Sequence, residues 1–201
     1  MSTMSTRSAQ LLLVLGAFLA GLLLFFSVIF IITGKSPAPV ALQSSVGGPF
    51  NLVDHNGKPV TDADMKGRPF LVFFGFTNCP DVCPTALFEM SEIFRELGND
   101  GDRVGAMFVT VDTERDTPER LKDYLSSFDP RLIGATGDEA AIKAIEKAYR
   151  VYAKRVPLDG GGYTMDHTAI VYLMDKTGRF VAPFNMKRKP AEAAADLRRY
   201  L

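Results

Sequence analysis

The chain has 201 residues, of which 47% are hydrophobic and two are cysteine, with 23 Lys and Arg balancing 23 Asp and Glu. That length suits one full domain of roughly 150 residues plus a short appendage. A net charge of zero and no basic stripe interleaved with aromatics argue against nucleic acid as a partner, and a domain of this size buries a core without needing a structural disulfide.

In chain order, the first element is an uncharged run from Leu11 to Ile32. About 22 residues at about 1.5 Å each reach roughly 33 Å, slightly more than the hydrocarbon core of a bilayer. A cleaved signal peptide carries only about 7 to 15 apolar residues. The expectation is therefore a single-pass transmembrane anchor over 11–33 behind a short cytoplasmic amino terminus, 1–10. A Gly-, Ser- and Pro-rich tether over 34–46 follows, then a domain over 47–201. A mitochondrial transit peptide would need a longer Arg- and Ser-rich leader. Cysteine chemistry favours an oxidising compartment, so the expected location is a bacterial inner membrane with the carboxy-terminal domain in the periplasm.

The domain opens with a strand over 48–53 and a hairpin turn at Asn56-Gly57. Pro69 to Gly75 is too apolar for a half-exposed strand and is expected to be central and buried on both faces. Leu87, Met90, Ile93, Phe94 and Leu97 recur at helical spacing until Gly98. Val104 to Val111 is the next strand, Asp112 to Asp116 a polar loop, and Thr117-Pro118 an N-cap and first helical position. A short strand at 132–135, a helix at 138–148 and a strand at 149–156 come next. A polar loop runs from Gly160 to Asp166, a hairpin joins 168–174 to 179–184, and a last amphipathic helix covers 190–201. This alternation predicts a three-layer α/β sandwich with a mixed sheet. A cysteine pair between the first central strand and its helix makes it thioredoxin-like.

The pair sits in Phe76-Thr77-Asn78-Cys79-Pro80-Asp81-Val82-Cys83-Pro84. At i and i+4 of a helix two sulfurs share a face, about 5 to 6 Å apart, so they suit a metal, a disulfide or a reactive dithiol. Free amides and the dipole at a helix start favour thiolate. Thioredoxin-type oxidoreductases place two residues between their cysteines, usually after a Trp, whereas this chain places three and contains no Trp. Peroxide-reducing relatives carry Thr or Ser three positions before the nucleophile, where Phe76 stands here.

A metal needs a third ligand, and the chain has two histidines. His55, in Asp54-His55-Asn56-Gly57, reads as a solvated turn residue. His167 ends the polar loop just before an apolar strand, where it is either a ligand at the sheet end or a capping residue. Two thiolates and an imidazole suit copper, Cu(I) above all. Zinc competes on ligand type, although structural zinc usually takes four protein ligands. Asp166 is a candidate orienter of His167, and Met165 a candidate thioether whose default role is packing.

These residues resemble the Sco/SenC family of cytochrome c oxidase assembly proteins. The likeness runs through Gly47-Gly48-Pro49-Phe50, Phe73 to Pro84, Val111-Asp112-Thr113-Glu114-Arg115-Asp116-Thr117-Pro118, Tyr149-Arg150-Val151-Tyr152 and Asp166-His167-Thr168. It implies a thioredoxin-like fold in which Cys79, Cys83 and His167 bind one copper ion, as Cu(I) with Cu(II) an open second state. It also implies a membrane-anchored chaperone, not a conventional enzyme, that helps build the dinuclear copper centre of cytochrome c oxidase subunit II. Other periplasmic copper carriers or thiol reductants are further partners. The alternative is a thiol-disulfide reductase that uses Cys79 and Cys83 as a redox pair to keep the receiving cysteines of that subunit reduced. Thr113 stands where the family commonly has Pro, and Asn78 where an aromatic is common.

Overall fold

The structure, a computed structural model, describes residues 6–33 and 46–201. The chain forms two compact units, Met1–Gln43 and Ser44–Leu201. In the first, α1 (Thr6–Thr33) is a helix of 28 residues, and Leu13, Phe18, Leu23 and Phe26 are exposed along it. Among the described residues no helix is long and apolar enough to cross a membrane. The tether expected over 34–46 lies, except for Val46, outside the described residues.

The second unit holds β1 (Asn51–Asp54), β2 (Pro59–Thr61), α2 (Asp62–Met65), β3 (Phe70–Gly75), α3 (Val82–Leu97), a 3-10 turn (Gly98–Arg103), β4 (Gly105–Thr110) and α4 (Pro118–Leu125). It continues with β5 (Leu132–Thr136), α5 (Glu139–Ala148), β6 (Ala153–Pro157), β7 (Tyr163–His167), β8 (Val171–Met174), β9 (Phe180–Phe184) and α6 (Pro190–Arg198). Seven strands form one sheet in the order β2-β1-β5-β4-β3-β8-β9, and β6 pairs only with β7. The sheet is mixed, as expected: β3, β4 and β5 run parallel, while β8 is antiparallel to β3 and β1 to β5.

Every residue of β3 and β4 is buried, which explains why both are continuous apolar runs without alternation. Their side chains still alternate in direction. Phe73 packs on Phe108, which meets Tyr124 of α4; Phe74 points the other way, onto Tyr149 after α5 and Tyr172 of β8. A helical layer of α3, α4 and α6 thus covers one face, α3 packing directly on α6, and α5 covers the other.

Local signals account for most element ends. Asp54 Oδ1 accepts from the amides of Asn56 and Lys58, both at 2.8 Å, closing the β1–β2 hairpin. Thr117 Oγ1 accepts from the Arg120 amide at 3.2 Å, with Pro118 opening α4, and Asp138 Oδ1 caps α5 at 2.7 Å. Two expectations fail. The segment expected to be a polar loop contains β7, paired with β6 from Pro157↔Tyr163 to Ala153↔His167; it is a half-exposed ribbon, so no buried apolar face marks it. The strand expected from Tyr149 begins only at Ala153, because Tyr149 caps α5 by donating its amide to the Ile145 carbonyl, at 2.9 Å.

Candidate metal centre

The site is built where β3 ends. Its last residue, Gly75, leads through Phe76, Thr77 and Asn78 into Cys79, and Asp81 caps α3. Only Cys83 lies on the helix. Cys79 precedes it in the turn, so the expected i, i+4 pairing on a shared helical face is replaced by a different contact: the Cys83 amide donates to Cys79 Sγ at 3.4 Å. Both cysteines are free thiols, Cys83 fully buried and Cys79 partly exposed.

His167 comes from the far side, at the end of β7. Its Nε2 lies 3.8 Å from Cys83 Sγ, and its Nδ1 lies 3.1 Å from the carbonyl oxygen of Thr168. A carbonyl only accepts, so Nδ1 carries the proton, and in the neutral imidazole Nε2 presents its lone pair to the sulfur. The backbone there is pinned, with the Thr168 amide donating to Tyr152 O at 2.9 Å, and the Phe76 ring meets the imidazole edge-to-face at 5.7 Å.

Burial, reinforced by the neighbouring Cys79, pushes the Cys83 thiol far above its ordinary range. At Cys83 this runs against the thiolate expected from the helix start, because loss of water at a fully buried sulfur outweighs a helix terminus worth about 1 kcal/mol. Among the described residues no three His, Cys, Asp or Glu side chains converge closely enough to hold a metal: Cys83 and His167 meet, while Cys79 Sγ rests on an amide. The donor set itself, two sulfurs and a neutral imidazole nitrogen, fits a soft metal.

The other candidates separate clearly. His55 is half-buried, and its Nδ1 accepts from the Gly134 amide at 2.9 Å, so it ties β1 to β5 instead of standing in a solvated turn. Asp166 is exposed, and the bond that orients His167 runs to Thr168 O instead. Met165 packs against the core and lines a cavity with Val111 and Tyr163. Missed by the sequence reading was Asp116, fully buried, which accepts from the Thr77 amide (3.0 Å), Thr77 Oγ1 (2.6 Å) and Thr110 Oγ1 (2.6 Å) and so anchors the cysteine turn. An acidic residue in a polar loop carries no signal of burial.

The SCO1/SenC profile matches residues 39–201. The chain belongs to the SCO1/SenC family. Among its relatives, the mitochondrial SCO1 homologue of Mus musculus is 41% identical over 155 residues, covering 76% of this chain and 55% of that protein. A SCO2-like protein of Rickettsia felis is 40% identical over 149 residues, 73% of each chain. This chain thus spans little more than half of the mouse protein. Among solved structures, copper-bound ScoI of Bradyrhizobium japonicum is 63% identical with a TM-score of 0.76, covering 78% of this chain and 99% of that one. Copper-bound yeast Sco1 superposes with a TM-score of 0.70 at 35% identity, over 77% and 87%. These SCO1/SenC relatives share the thioredoxin-like fold with its mixed sheet.

Proposed function

We propose that this protein is a membrane-anchored copper chaperone. It holds one copper ion through Cys79, Cys83 and His167 and passes it to cytochrome c oxidase subunit II in the bacterial periplasm. The observation that carries the reading is the 3.8 Å approach of His167 Nε2 to Cys83 Sγ, with the other ring nitrogen committed to a carbonyl, an arrangement typical of metal-ligating histidines. Copper-bound relatives support the identity of the ion. The uncharged run from Leu11 to Ile32 supports the anchor, checked by retention of the protein in carbonate-washed membranes.

A second reading, a reductase serving the same subunit, draws on the partly exposed Cys79 beside the buried Cys83, an attacking and a resolving thiol. One experiment separates the two. A strain carrying His167→Ala in place of the natural protein is grown at limiting copper, and the purified full-length variant is assayed for disulfide reduction. The chaperone reading expects little copper-loaded oxidase, partly rescued by added copper, with disulfide reduction retained. Full oxidase activity at limiting copper would discard the chaperone in favour of the reductase.

A further inference from the structure

The segment Asp112–Asp116 was singled out by its sequence, yet none of its side chains is a ligand in the function just proposed. It follows β4 and touches both halves of the site. At one end Asp116 anchors the cysteine turn through Thr77, as described. At the other, the buried Asp112 accepts from the Tyr163 hydroxyl at 2.8 Å and from Arg115 Nε. Arg115 Nη1 donates to the Tyr163 carbonyl at 3.0 Å, and its guanidinium carbon lies 3.8 Å from the centre of the Tyr163 ring. Arg155 lies 3.5 Å from the same ring centre and pairs with Glu114 at 2.6 Å. Two guanidinium groups that close to one centroid cannot share a face, so Tyr163 is clamped between them.

Tyr163 opens β7, and His167 closes it four residues later on the same face of the strand. The β6–β7 ribbon has no hydrogen-bonded place in the main sheet, and an isolated two-stranded ribbon is marginal on its own. Its position relative to the cysteines therefore depends on side-chain contacts. Arg115 also reaches toward the Phe76 ring, 5.9 Å away, and Phe76 is the ring against His167. We propose that Asp112–Asp116 acts as a staple between the two ligand-bearing segments, with Arg115 and Tyr163 as positioning residues that hold His167 opposite the cysteines. This rests on the copper reading above. It adds that the balance between Cu(II) and Cu(I) affinity is set partly from this loop, since the imidazole is the harder donor and matters more to Cu(II).

The test uses the full-length, detergent-solubilised protein and the variants Arg115→Gln, Tyr163→Leu and Tyr163→Phe. Cu(I) and Cu(II) affinities are measured by chelator competition, and nitrogen hyperfine coupling by electron paramagnetic resonance of the Cu(II) form. The imidazole signals of His167 are followed by NMR in copper-free protein, where only two histidines need assignment. Arg115→Gln and Tyr163→Leu are expected to weaken Cu(II) at least tenfold and Cu(I) less than about threefold, to reduce the nitrogen coupling, and to shift or broaden the copper-free His167 signals. Tyr163→Phe, which keeps the clamped ring and loses only the bond to Asp112, should fall between these and the natural protein. If Tyr163→Leu does not fold, Arg115→Gln and Tyr163→Phe decide alone. Unchanged Cu(II) affinity, coupling and His167 signals in both would overturn the staple. Altered His167 signals in variants of a protein that binds no copper even in its natural form would uphold the staple as a positioning device and refute the copper reading.

Discussion

Gly75→Ala tests how tightly the site is packed into the end of β3. A Cβ at Gly75 would lie 2.6 Å from Phe108 Cε2 and 2.8 Å from Cys83 Sγ, where carbon contacts settle near 3.5 to 4.0 Å. The Phe108 ring is fully buried between Phe73 and Tyr124 and has little room to yield. The sulfur is the softer neighbour and must retreat by roughly 0.8 Å to regain contact distance. Overpacking of this kind costs about 1 to 3 kcal/mol, which for a domain of this size lowers Tm by roughly 2 to 4 °C per kcal/mol. Calorimetry should therefore show a loss of about 4 to 8 °C for a mid-range cost of about 2 kcal/mol. Because the displaced atom is Cys83 Sγ, Cu(I) affinity should fall along with stability. A variant with Tm within about 1 °C of the natural protein and undiminished Cu(I) binding would refute the packing argument.

Two further outcomes are expected. Alkylation of the copper-free protein at neutral pH, followed by mass spectrometry of peptides, should label Cys79 at least a hundredfold faster than Cys83, whose buried thiol stays protonated and out of reach; equal rates would show that the site opens freely. For Asp116, burial raises the folded pKa above that of an unfolded carboxyl despite bonds from Thr110 and Thr77. The stability this group contributes is therefore full below the ordinary carboxylate pKa and is lost as pH rises through the raised one. Asp116→Asn should remove that slope, which urea titrations between about pH 4 and 7 will detect, at a fixed cost of about 1 to 3 kcal/mol for the acceptor lost among three donors. A steeper slope in the variant would reverse the sign of the argument.

The parts legible in the sequence were those with a period or a local chemical rule. Leu87, Met90, Ile93, Phe94 and Leu97 mark the buried face of α3 as expected, and Cys83 and Ala86 extend it by one turn toward the site. Thr117-Pro118 and Asp138 start helices through side chains only three residues from their partners. Long-range contacts escaped. His55 looked like any turn histidine because its partner, Gly134, is far along the chain. The Cys83 thiol looked activated because helix-start electrostatics can be read locally, whereas the burial that opposes it exists only once the core has closed around the sulfur. The β7 strand was missed because a ribbon outside the main sheet needs no apolar alternation, although it carries His167, the residue the sequence could place only near a sheet end.

The two cysteines are unequal in a way that bears on how the site would work. Cys83 has its sulfur fully buried, 3.8 Å from His167 Nε2, and burial keeps its proton in place; a metal arriving there must displace that proton, so binding couples to proton release and strengthens as pH rises. Cys79 sits in the turn, partly exposed and at the edge of the core, its sulfur accepting from the Cys83 amide at 3.4 Å. Delivery by ligand exchange requires one donor that leaves early and others that hold until a receiving thiol has taken over. On the copper reading, Cys79 fills the first role. Cys83 and His167, fixed by the core on one side and by the Thr168 carbonyl on the other, fill the second. A reductase would use the same inequality differently, with Cys79 attacking and Cys83 resolving, and an imidazole facing the buried sulfur would serve there as a base for the resolving thiol. Copper dependence separates the two, because only in copper transfer is the loss of His167 made good by added copper.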